Sequence, residues 1–215
     1  MNKVTIAGVD ILVDSEEKYL QINDVYDLRE SLWNQIAERY AGFDAVFCYH
    51  STTAPEEFLA SIGAVMVDDC VEMRLHNDET LVTASPDIYL VDDTSFDAFA
   101  ALHDKRNPDM YWTSVRIRSD LARWGIVTSQ IDGQITGYAM VAMWDPFAAE
   151  IFCIEASDVE HSLSLIIAAA RYAFEAGKPE VLYMADKGAK QQTVAQLAGF
   201  CTTGFYQGYS AKVER

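Results

Sequence analysis

The element order is clearest around Ala149-Glu150-Ile151-Phe152-Cys153-Ile154-Glu155 and the segment that follows it. This apolar run predicts a strand. After it, Ser157 or Asp158 can cap a helix that we expect to run from about Val159 to Ala176, and Gly177 ends it. The apolar positions of the helix lie three and four apart, at Leu163, Ile166, Ile167, Ala170 and Phe174. One face of this helix is therefore expected to pack on a sheet.

Toward the carboxyl terminus the succession of strand and helix continues. Val181–Met184 reads as a buried strand. A helix is predicted from about Lys190 to Ala198, and Gly199 fits a left-handed cap at its end. Phe205–Val213 is the last predicted strand.

Toward the amino terminus the pattern predicts a strand, two helices and a hairpin. Ile88–Val91 is the strand, Asp93-Thr94-Ser95 offers caps for the first helix, and Pro108 ends that helix. The second helix is expected from Ser114 to Trp124, and Asp132-Gly133 is a strong hairpin turn signal. The two hairpin strands are Ile126–Ile131 and Ile135–Met143.

Part of this order occurs twice. Residues 4–76 and 135–212 share a strand, a second strand, a long helix with an Arg-Tyr pair, a buried strand, a short helix and a final strand. The matching segments are Val4–Val9 and Gln134–Ala139, Tyr19–Ile22 and Ile151–Ile154, Arg39-Tyr40 and Arg171-Tyr172, Ala45–Tyr49 and Glu180–Met184, and Gly63-Ala64 and Gly199-Phe200. Shared order and spacing predict two copies of one supersecondary unit.

Polar breaks separate the two parts. His76–Glu79 is a polar turn and Ala84–Asp87 is a second break, so the boundary is placed at about residues 76–86. We expect an α+β protein with a partial domain over residues 1–80 and a complete domain over residues 86–215. The first part should not fold alone, because its apolar face needs a partner.

Composition narrows the functional classes. The formal net charge of −17 disfavours nucleic acid as a partner, because phosphates would be repelled. A cationic amine is compatible with this field, although acidity can also serve solubility alone. No apolar run reaches the roughly 18 residues that a bilayer span needs, and no signal peptide pattern opens the chain. The expectation is a cytoplasmic protein without a membrane partner.

Cysteine and histidine spacing favours neither a disulfide framework nor a metal site. No C-x-x-C pair occurs, and the four histidines are scattered along the chain. Buried free thiols are expected at Cys48, Cys153 and Cys70.

Residues 86–215 resemble a whole domain of the GCN5-related N-acetyltransferase (GNAT) superfamily. Ala149–Ile154 looks like the fourth strand of its histone-acetyltransferase branch. Tyr183–Asp186 and Ala198-Gly199-Phe200 are similar to the later strand and helix end. Residues 1–76 would match only the second half of the fold, as a degenerate partial repeat that supplies strands or shapes the acceptor cleft.

The resemblance implies acyl transfer from acetyl-CoA, or another acyl-CoA, to an amine without a metal. It also implies a V-shaped gap between the strand of Glu150 and the strand of Tyr183 for the thioester arm, with pyrophosphate at the start of the next helix. The implied cofactor-binding residues are Ile154, Glu155, Ala156, Val159, Glu160, His161, Ser162, Leu163 and Ser164.

The sequence departs from the family at the phosphate loop. The positions that the family fills with Gln or Arg, Gly, and Gly or Ala carry Val159, Ser162 and Ser164 here. Asp158 and Glu160 place negative charge where pyrophosphate would lie. A purely structural capped helix is the alternative interpretation of this segment.

The resemblance places a general base at Glu150, with Glu155 as the second candidate; either could instead be a solvent-facing strand residue. Ala195 lies at the position where the family usually has the tyrosine that acts as general acid and protonates the leaving thiolate. Tyr183 is the substitute we name for the general acid, and Tyr206 and Tyr209 are further candidates.

Two functions follow from this reading. The first is an N-acyltransferase that works by direct attack of a small-molecule or peptide amine on the thioester. The second is a catalytically degenerate protein of the same fold that acts as an acyl-CoA sensor or an interaction module. A homodimer is compatible with either.

Overall fold

The structure is a computed structural model that describes residues 1–25, 28–77 and 87–214. Eleven strands and six α-helices lie within these residues. The strands are β1 (Asn2–Ile6), β2 (Val9–Asp14), β3 (Tyr19–Asn23), β4 (Asp44–His50), β5 (Val65–His76), β6 (Ile88–Leu90), β7 (Trp124–Ile131), β8 (Gln134–Ala142), β9 (Ala148–Glu155), β10 (Glu180–Asp186) and β11 (Cys201–Lys212). The helices are α1 (Glu30–Tyr40), α2 (Glu56–Ser61), α3 (Phe96–Arg106), α4 (Ser114–Ser119), α5 (Val159–Glu175) and α6 (Lys190–Leu197).

The chain divides into two compact units. The first comprises residues 1–71 and 204–215, and the second comprises residues 72–203. Strands β5 and β11 therefore contribute residues to both units. The predicted boundary at residues 76–86 falls mostly on residues 78–86, which lie outside the described residues. The division at residues 1–80 and 86–215, and the relation of the two parts as repeats, stay predictions.

The first unit is a mixed sheet with an amphipathic helix. Its strand order is β1-β2-β3-β4-β11, and only the pair β3–β4 is parallel within that order. Helix α1 buries Leu32, Trp33 and Ile36 in a cluster with sheet residues such as Phe47. Burial of one apolar helix stripe against the sheet gives this unit its core.

One strand prediction in this unit was wrong. Val4–Val9 was expected to be a single strand, but β1 ends at Ile6 and β2 begins at Val9. Ala7 and Gly8 have φ values of 47° and 86°, and they form a two-residue turn between antiparallel strands. A two-residue turn with two positive φ values matches the twist of the flanking strands, and glycine adopts such φ values readily. The preference of glycine for a turn therefore decides the structure here, although the alternating apolar residues favour a continuous strand.

The second unit has a sheet with helices on both faces. Its strand order is β10-β9-β8-β7-β6, antiparallel throughout except for the parallel pair β9–β10. Helices α3 and α4 pack on one face through Phe96, Phe99 and Ile117. Helix α5 covers the opposite face, where it contacts β7, β8, β9 and β10. The mixed sheet with helices confirms the α+β class.

Most predicted elements of this unit are confirmed, with one correction. The hairpin turns at Asp132-Gly133 with φ values of 52° and 75°, and α6 ends before Gly199 at φ 97°. The helix expected from Ser114 to Trp124 is wrong at its carboxyl end. Helix α4 stops at Ser119, a 3-10 turn follows, and Trp124 begins β7. Pairing with β8 and aromatic packing outweigh helical spacing at this tryptophan.

Candidate active site

A gap opens between β9 and β10. The two strands pair in parallel over only four residues each, from Ala148 to Ile151 and from Glu180 to Tyr183. Beyond these pairs β9 continues to Glu155 and β10 to Asp186, and no further pairing joins them within the described residues. The expected V-shaped gap is therefore present, with its vertex at the Ile151–Tyr183 pair.

A β-bulge accompanies the gap. On the other side of β9, Val141 pairs with Ile151 and Met140 pairs with Cys153, so Phe152 is the extra residue. Pairing between β8 and β9 then continues as far as Glu155. Because a bulge bends its strand and increases the local twist, β9 stays with β8 while it parts from β10.

Strand register places the two candidate bases on one face of the sheet. Glu150 pairs with Ala142 and Glu155 pairs with Tyr138, and Ala142 and Tyr138 both belong to the cluster packed under α3 and α4. Residues opposite each other on neighbouring strands point to the same side. Glu150 and Glu155 therefore share the α3 and α4 face.

Tyr183 lies on the other face. It pairs with Ile151, which alternates with Glu150 along β9, and its ring contacts Phe200 edge to face at 6.4 Å between centroids. The structure therefore does not bring Tyr183 together with the two glutamates. It does place Tyr183 at the vertex of the gap. Its role as general acid stays a prediction.

The other two tyrosines that the sequence suggested belong to the first unit. Tyr206 donates a hydrogen bond from its hydroxyl to Cys48 Sγ at 3.3 Å, and the Tyr209 ring contacts Tyr49. Burial raises the pKa of both Tyr206 and Tyr209. Both side chains take part in packing within that unit.

Glu155 is held by a cation. Its carboxylate accepts from Arg106 Nη1 at 3.4 Å, and about a third of its side chain is exposed. Burial is the largest cause that raises the pKa values of Tyr138 and Cys153, and the negative charge of Glu155 raises them further. Glu155 and Arg106 thus form an ion pair on this side of the gap.

A buried polar network lies under the same face and was not foreseen from the sequence. His103 is fully buried; its Nε2 lies 2.8 Å from the carbonyl oxygen of Trp112, and its Nδ1 lies 2.9 Å from Tyr138 Oη. A carbonyl oxygen only accepts, so Nε2 carries a proton and donates to it. Asn107 Nδ2 donates to the same hydroxyl at 2.7 Å.

Cys153 joins this network at the edge of the gap. Burial, and then the negative charge of Glu155, raises the pKa of the thiol to about 12. The Cys153 thiol also hydrogen-bonds Tyr138, whose own pKa is raised chiefly by burial. The thiol is therefore protonated at neutral pH, so it lines the gap and does not act as a nucleophile. The sequence predicted a fully buried thiol here, whereas the side chain is only partly buried; Cys48 and Cys70 are buried as expected.

The amino terminus of α5 is capped by its own carboxylate. Asp158 Oδ1 accepts from the backbone N–H of His161 at 2.9 Å, and the His161 ring nitrogen Nδ1 lies 2.7 Å from Oδ2. Ser157 Oγ donates to the same carboxylate at 2.8 Å. The hydrogen bond from the His161 backbone is the largest cause that lowers the pKa of Asp158 to about 2. Asp158, and not Ser157, is thus the cap.

Of the remaining residues predicted to contact phosphate, some have backbone N–H groups without an acceptor, and one has a hydroxyl that is already hydrogen-bonded. The backbone N–H groups of Val159 and Glu160 have no acceptor among the described residues. The Ser162 hydroxyl donates to the Asp158 carbonyl oxygen at 2.8 Å, so it already has a partner. Leu163 and Ser164 are half-buried in the first turns of α5, and Ile154 and Ala156 are half-buried beside the gap.

An acyl-CoA fits one part of this site better than the other. The gap beyond Ile151 and Tyr183 offers strand edges to a thioester arm, and two N–H groups are open at the start of α5. The same helix start holds the Asp158 carboxylate and the acidic Glu160, which oppose a phosphate. The residues therefore fit the acyl arm, and the pyrophosphate competes with Asp158.

Four aromatic rings lie on the face of Glu150, and no sequence signal foretold their meeting. We name Trp112, Trp124, Trp144 and Phe152 the tryptophan cluster. Trp124 contacts the other three rings, with centroid separations of 5.2 Å, 4.9 Å and 5.7 Å respectively. The residues come from four separate segments of the second unit, so only the fold brings them together.

Among its described residues, the first unit has no comparable gap. Strand β3 pairs in parallel with β4 along all of its length, from Tyr19 to Asn23. Asp24 continues the closure: its backbone N–H donates to the Cys48 carbonyl at 2.8 Å, and its carboxylate accepts from the His50 backbone at 2.8 Å. A cavity of about 620 Å³ in this unit is lined by Ala7, Gly8, Val9, Asp24, Val25, Arg29, Ser31 and Leu32.

Two properties of residues 1–25, 28–77 and 87–214 concern membranes and metal ions. None of the helices in these ranges combines the length and the apolar character needed to cross a bilayer. No group of three or more histidine, cysteine or acidic side chains in the same ranges could hold a metal ion.

Comparisons with known proteins show which solved structures share this fold. No family model matches the sequence, and none of the curated proteins matches it. Among solved structures, the chain is similar to a GCN5-related N-acetyltransferase from Kribbella flavida, with a TM-score of 0.70 at 12% identity, covering 98% of this chain and 89% of that one. A GCN5-related N-acetyltransferase from Sphaerobacter thermophilus gives a TM-score of 0.65 at 14% identity over 96% and 76%.

A tandem GNAT protein from the clavulanic acid biosynthesis pathway is a third match, with a TM-score of 0.59 at 14% identity over 96% of this chain and 79% of its own. Identities this low establish the architecture and carry no assignment of substrate. The partial pairing of β9 and β10 agrees with the architecture that the sequence suggested. The chain has the fold of the GCN5-related N-acetyltransferases.

Proposed function

We propose that the second unit transfers an acyl group from an acyl-CoA to a primary amine by direct attack. The observation that carries the proposal is the gap past the Ile151–Tyr183 pair, flanked by Glu150 on the α3 and α4 face. A thioester arm in this gap would present its carbonyl carbon beside unpaired main-chain groups of β9. Main-chain N–H groups in such a place stabilise the oxyanion that develops during acyl transfer.

The chemistry requires one base and one proton donor. Glu150 takes a proton from the substrate ammonium, and the freed amine nitrogen attacks the thioester carbonyl carbon. A C–N bond forms, the C–S bond breaks, and CoA leaves as a thiolate that is protonated to the thiol. The overall change converts an ammonium and an acyl-CoA into an amide, free CoA thiol and one proton. Tyr183, at the vertex on the face of α5, is the candidate proton donor.

The charge of the chain supports a cationic acceptor. The net charge of −17 raises the local concentration of cations, and Glu150 and Glu155 lie on the face from which the amine would approach. The same field slows the approach of anionic CoA. The acyl-CoA is a co-substrate, and no metal takes part in the proposed step.

Thermal unfolding with acetyl-CoA is the first test. A ligand at about 100 times its Kd stabilises the folded state by about 2.7 kcal/mol, so millimolar acetyl-CoA should raise the melting temperature by several degrees. Acetyl-CoA should also release free thiol when an acceptor amine is present. No rise in melting temperature at millimolar acetyl-CoA would contradict the proposal.

Base variants then test the chemistry. Glu150→Gln should lower kcat by about 10²- to 10⁴-fold, the usual contribution of a general base, and leave the acetyl-CoA thermal shift in place. Glu155→Gln tests the second candidate. Glu175→Gln, at the exposed end of α5, is the matched control and should turn over normally. Unchanged turnover in both site variants would remove the base assignment.

A second function is favoured by the Asp158 cap. A carboxylate that already occupies the start of α5 suits a protein that keeps the fold as an acyl-CoA sensor or an interaction module. A thermal shift without thiol release across a panel of amines would support this alternative over catalysis.

A further inference from the structure

The tryptophan cluster borders the proposed base. Trp124 pairs with Ala142, and Ala142 pairs with Glu150, so these three residues form one row across β7, β8 and β9. Neighbouring strands lie about 4.8 Å apart, which puts Trp124 and Glu150 about 10 Å apart at their Cα atoms. Phe152, the bulged residue, extends the aromatic surface toward the gap, since its ring lies 5.7 Å from that of Trp124.

Two of the rings form a partly exposed stack. Trp112 and Trp144 lie 5.3 Å apart with an interplanar angle of 29°, and both are half-buried. Trp124 stands nearly perpendicular to Trp144 and is 4% exposed. The buried ring thus supports two rings that retain surface toward solvent on the face of Glu150.

The loop that carries Trp144 is fixed in place. Lys178 Nζ donates to the carbonyl oxygen of Met143 at 3.1 Å and also to that of Asp145. The residues on both sides of Trp144 are therefore bound to one ammonium. A ring held in this way is pre-organised, which reduces the entropy lost when a ligand binds.

Charge around the cluster directs an ammonium to Glu150 and away from Trp144. Arg123 already lies over the ring of Trp144, with its Cζ 5.9 Å from the centroid, and it repels a second cation there. Glu150 places a carboxyl group in the same row as Trp124. A ligand that combines an aromatic body with a nearby ammonium matches both features.

We propose that the acceptor is a primary amine that carries an aromatic ring, such as a 2-arylethylamine. The ring packs on the exposed surfaces of Trp112, Trp144 and Phe152, and the ammonium points toward Glu150. This inference rests on the proposed acyl transfer, because it names the acceptor for the same site. It separates ring-bearing amines from a lysine side chain or a polyamine, which have no ring to stack.

Binding without acyl donor is the first test. The chain has four tryptophans, and Trp33 belongs to the first unit, so its indole N–H signal is an internal control. Titration of the full-length chain with 2-phenylethylamine should shift the indole ¹H–¹⁵N signals of the three cluster tryptophans and leave that of Trp33 unchanged. Butylamine and spermidine should shift them at least tenfold more weakly at equal concentration. Equal shifts with all three amines would overturn the inference.

Turnover supplies the second test. Trp144→Leu should raise the KM for 2-phenylethylamine at least tenfold and change the KM for butylamine less than twofold. Phe147→Leu is the matched control, because Phe147 lies three residues along the same loop and is 74% exposed. Equal effects of Trp144→Leu on both amines would overturn the inference.

The two proposals fail in different ways. Indole shifts with 2-phenylethylamine but no thiol release from acetyl-CoA would overturn the proposed function and support the ring-binding surface. Thiol release with no preference for ring-bearing amines would support acyl transfer and overturn the acceptor assignment.

Discussion

Removal of the charge at Asp158 should tighten the binding of acetyl-CoA. The carboxylate accepts from the His161 backbone at 2.9 Å, beside the open N–H groups of Val159 and Glu160. A phosphate oxygen bound to those groups would share the start of α5 with this carboxylate. Two unit charges about 4 Å apart in water change an equilibrium constant about fivefold. Asp158→Asn should therefore lower the Kd for acetyl-CoA by about five- to tenfold.

Asparagine is the informative replacement because it keeps the cap. Asn and Asp cap helices about equally well, so the fold of α5 is preserved while the charge is removed. Asp92→Asn is the matched control. Asp92 accepts from the backbone of Thr94 and Ser95, and hydrogen bonds from these two residues lower its pKa to about 2, as happens at Asp158. It lies before α3, at the start of a different helix.

Calorimetric titration at low and at high salt measures the effect. The gain from Asp158→Asn should be largest at low ionic strength and shrink near 1 M salt, where the Debye length is about 3 Å. Asp92→Asn should leave the Kd unchanged at both salt concentrations. An unchanged or weaker affinity in Asp158→Asn would refute the view that this carboxylate competes with pyrophosphate.

Three further predictions concern stability. Gly125→Ala should destabilise the fold by about 1–3 kcal/mol in urea unfolding, because a Cβ there would lie 2.1 Å from Cε1 of Tyr172. Tyr138→Phe should cost about 1–3 kcal/mol in the same assay, because it leaves buried partners of the hydroxyl without their hydrogen bonds. The lowered pKa values of Asp92 and Asp158, about 2 each, stabilise the fold above pH 4, and this contribution should be lost as the pH falls from about 4 to about 2.

Each stability prediction has its own contradicting result. Wild-type stability in Gly125→Ala would mean that the Tyr172 ring does not lie over β7. Tyr138→Phe that unfolds at the wild-type urea concentration would contradict the network under α3. If the wild type loses no more stability between pH 4 and pH 2 than the Asp92→Asn, Asp158→Asn double variant, the lowered pKa values of these two carboxylates are contradicted.

Local sequence patterns were enough to predict the helices that flank the gap. The apolar spacing of α5, its Asp158 cap and Gly177 predicted a helix that the structure places at Val159–Glu175. Gly199 similarly marked the end of α6. These features depend on residues within a few positions of one another, so the sequence alone contains them.

The gap itself could be expected only from the family resemblance. Whether β9 leaves β10 depends on the bulge at Phe152, and a bulge is defined by pairing with a second strand. No local property of Phe152 distinguishes it from a regular strand residue. The register that sets Glu150 and Tyr183 on opposite faces is likewise a property of paired strands.

The tryptophan cluster and the polar network around His103 could not be predicted from the sequence either, because both depend on contacts between distant segments. Trp124 seemed to end a helix, and the structure places it in β7 against rings from three other segments. His103 and Tyr138 are 35 residues apart in the chain and meet at 2.9 Å. Tertiary contacts of this separation leave no periodic signal.

A crystal structure of the chain with acetyl-CoA tests the central claim most directly. We expect density for the thioester arm between residues 152–155 of β9 and residues 184–186 of β10, with the carbonyl oxygen at the main chain of β9. Strands β9 and β10 paired along their whole length, with the acetyl-CoA elsewhere or absent, would contradict the account.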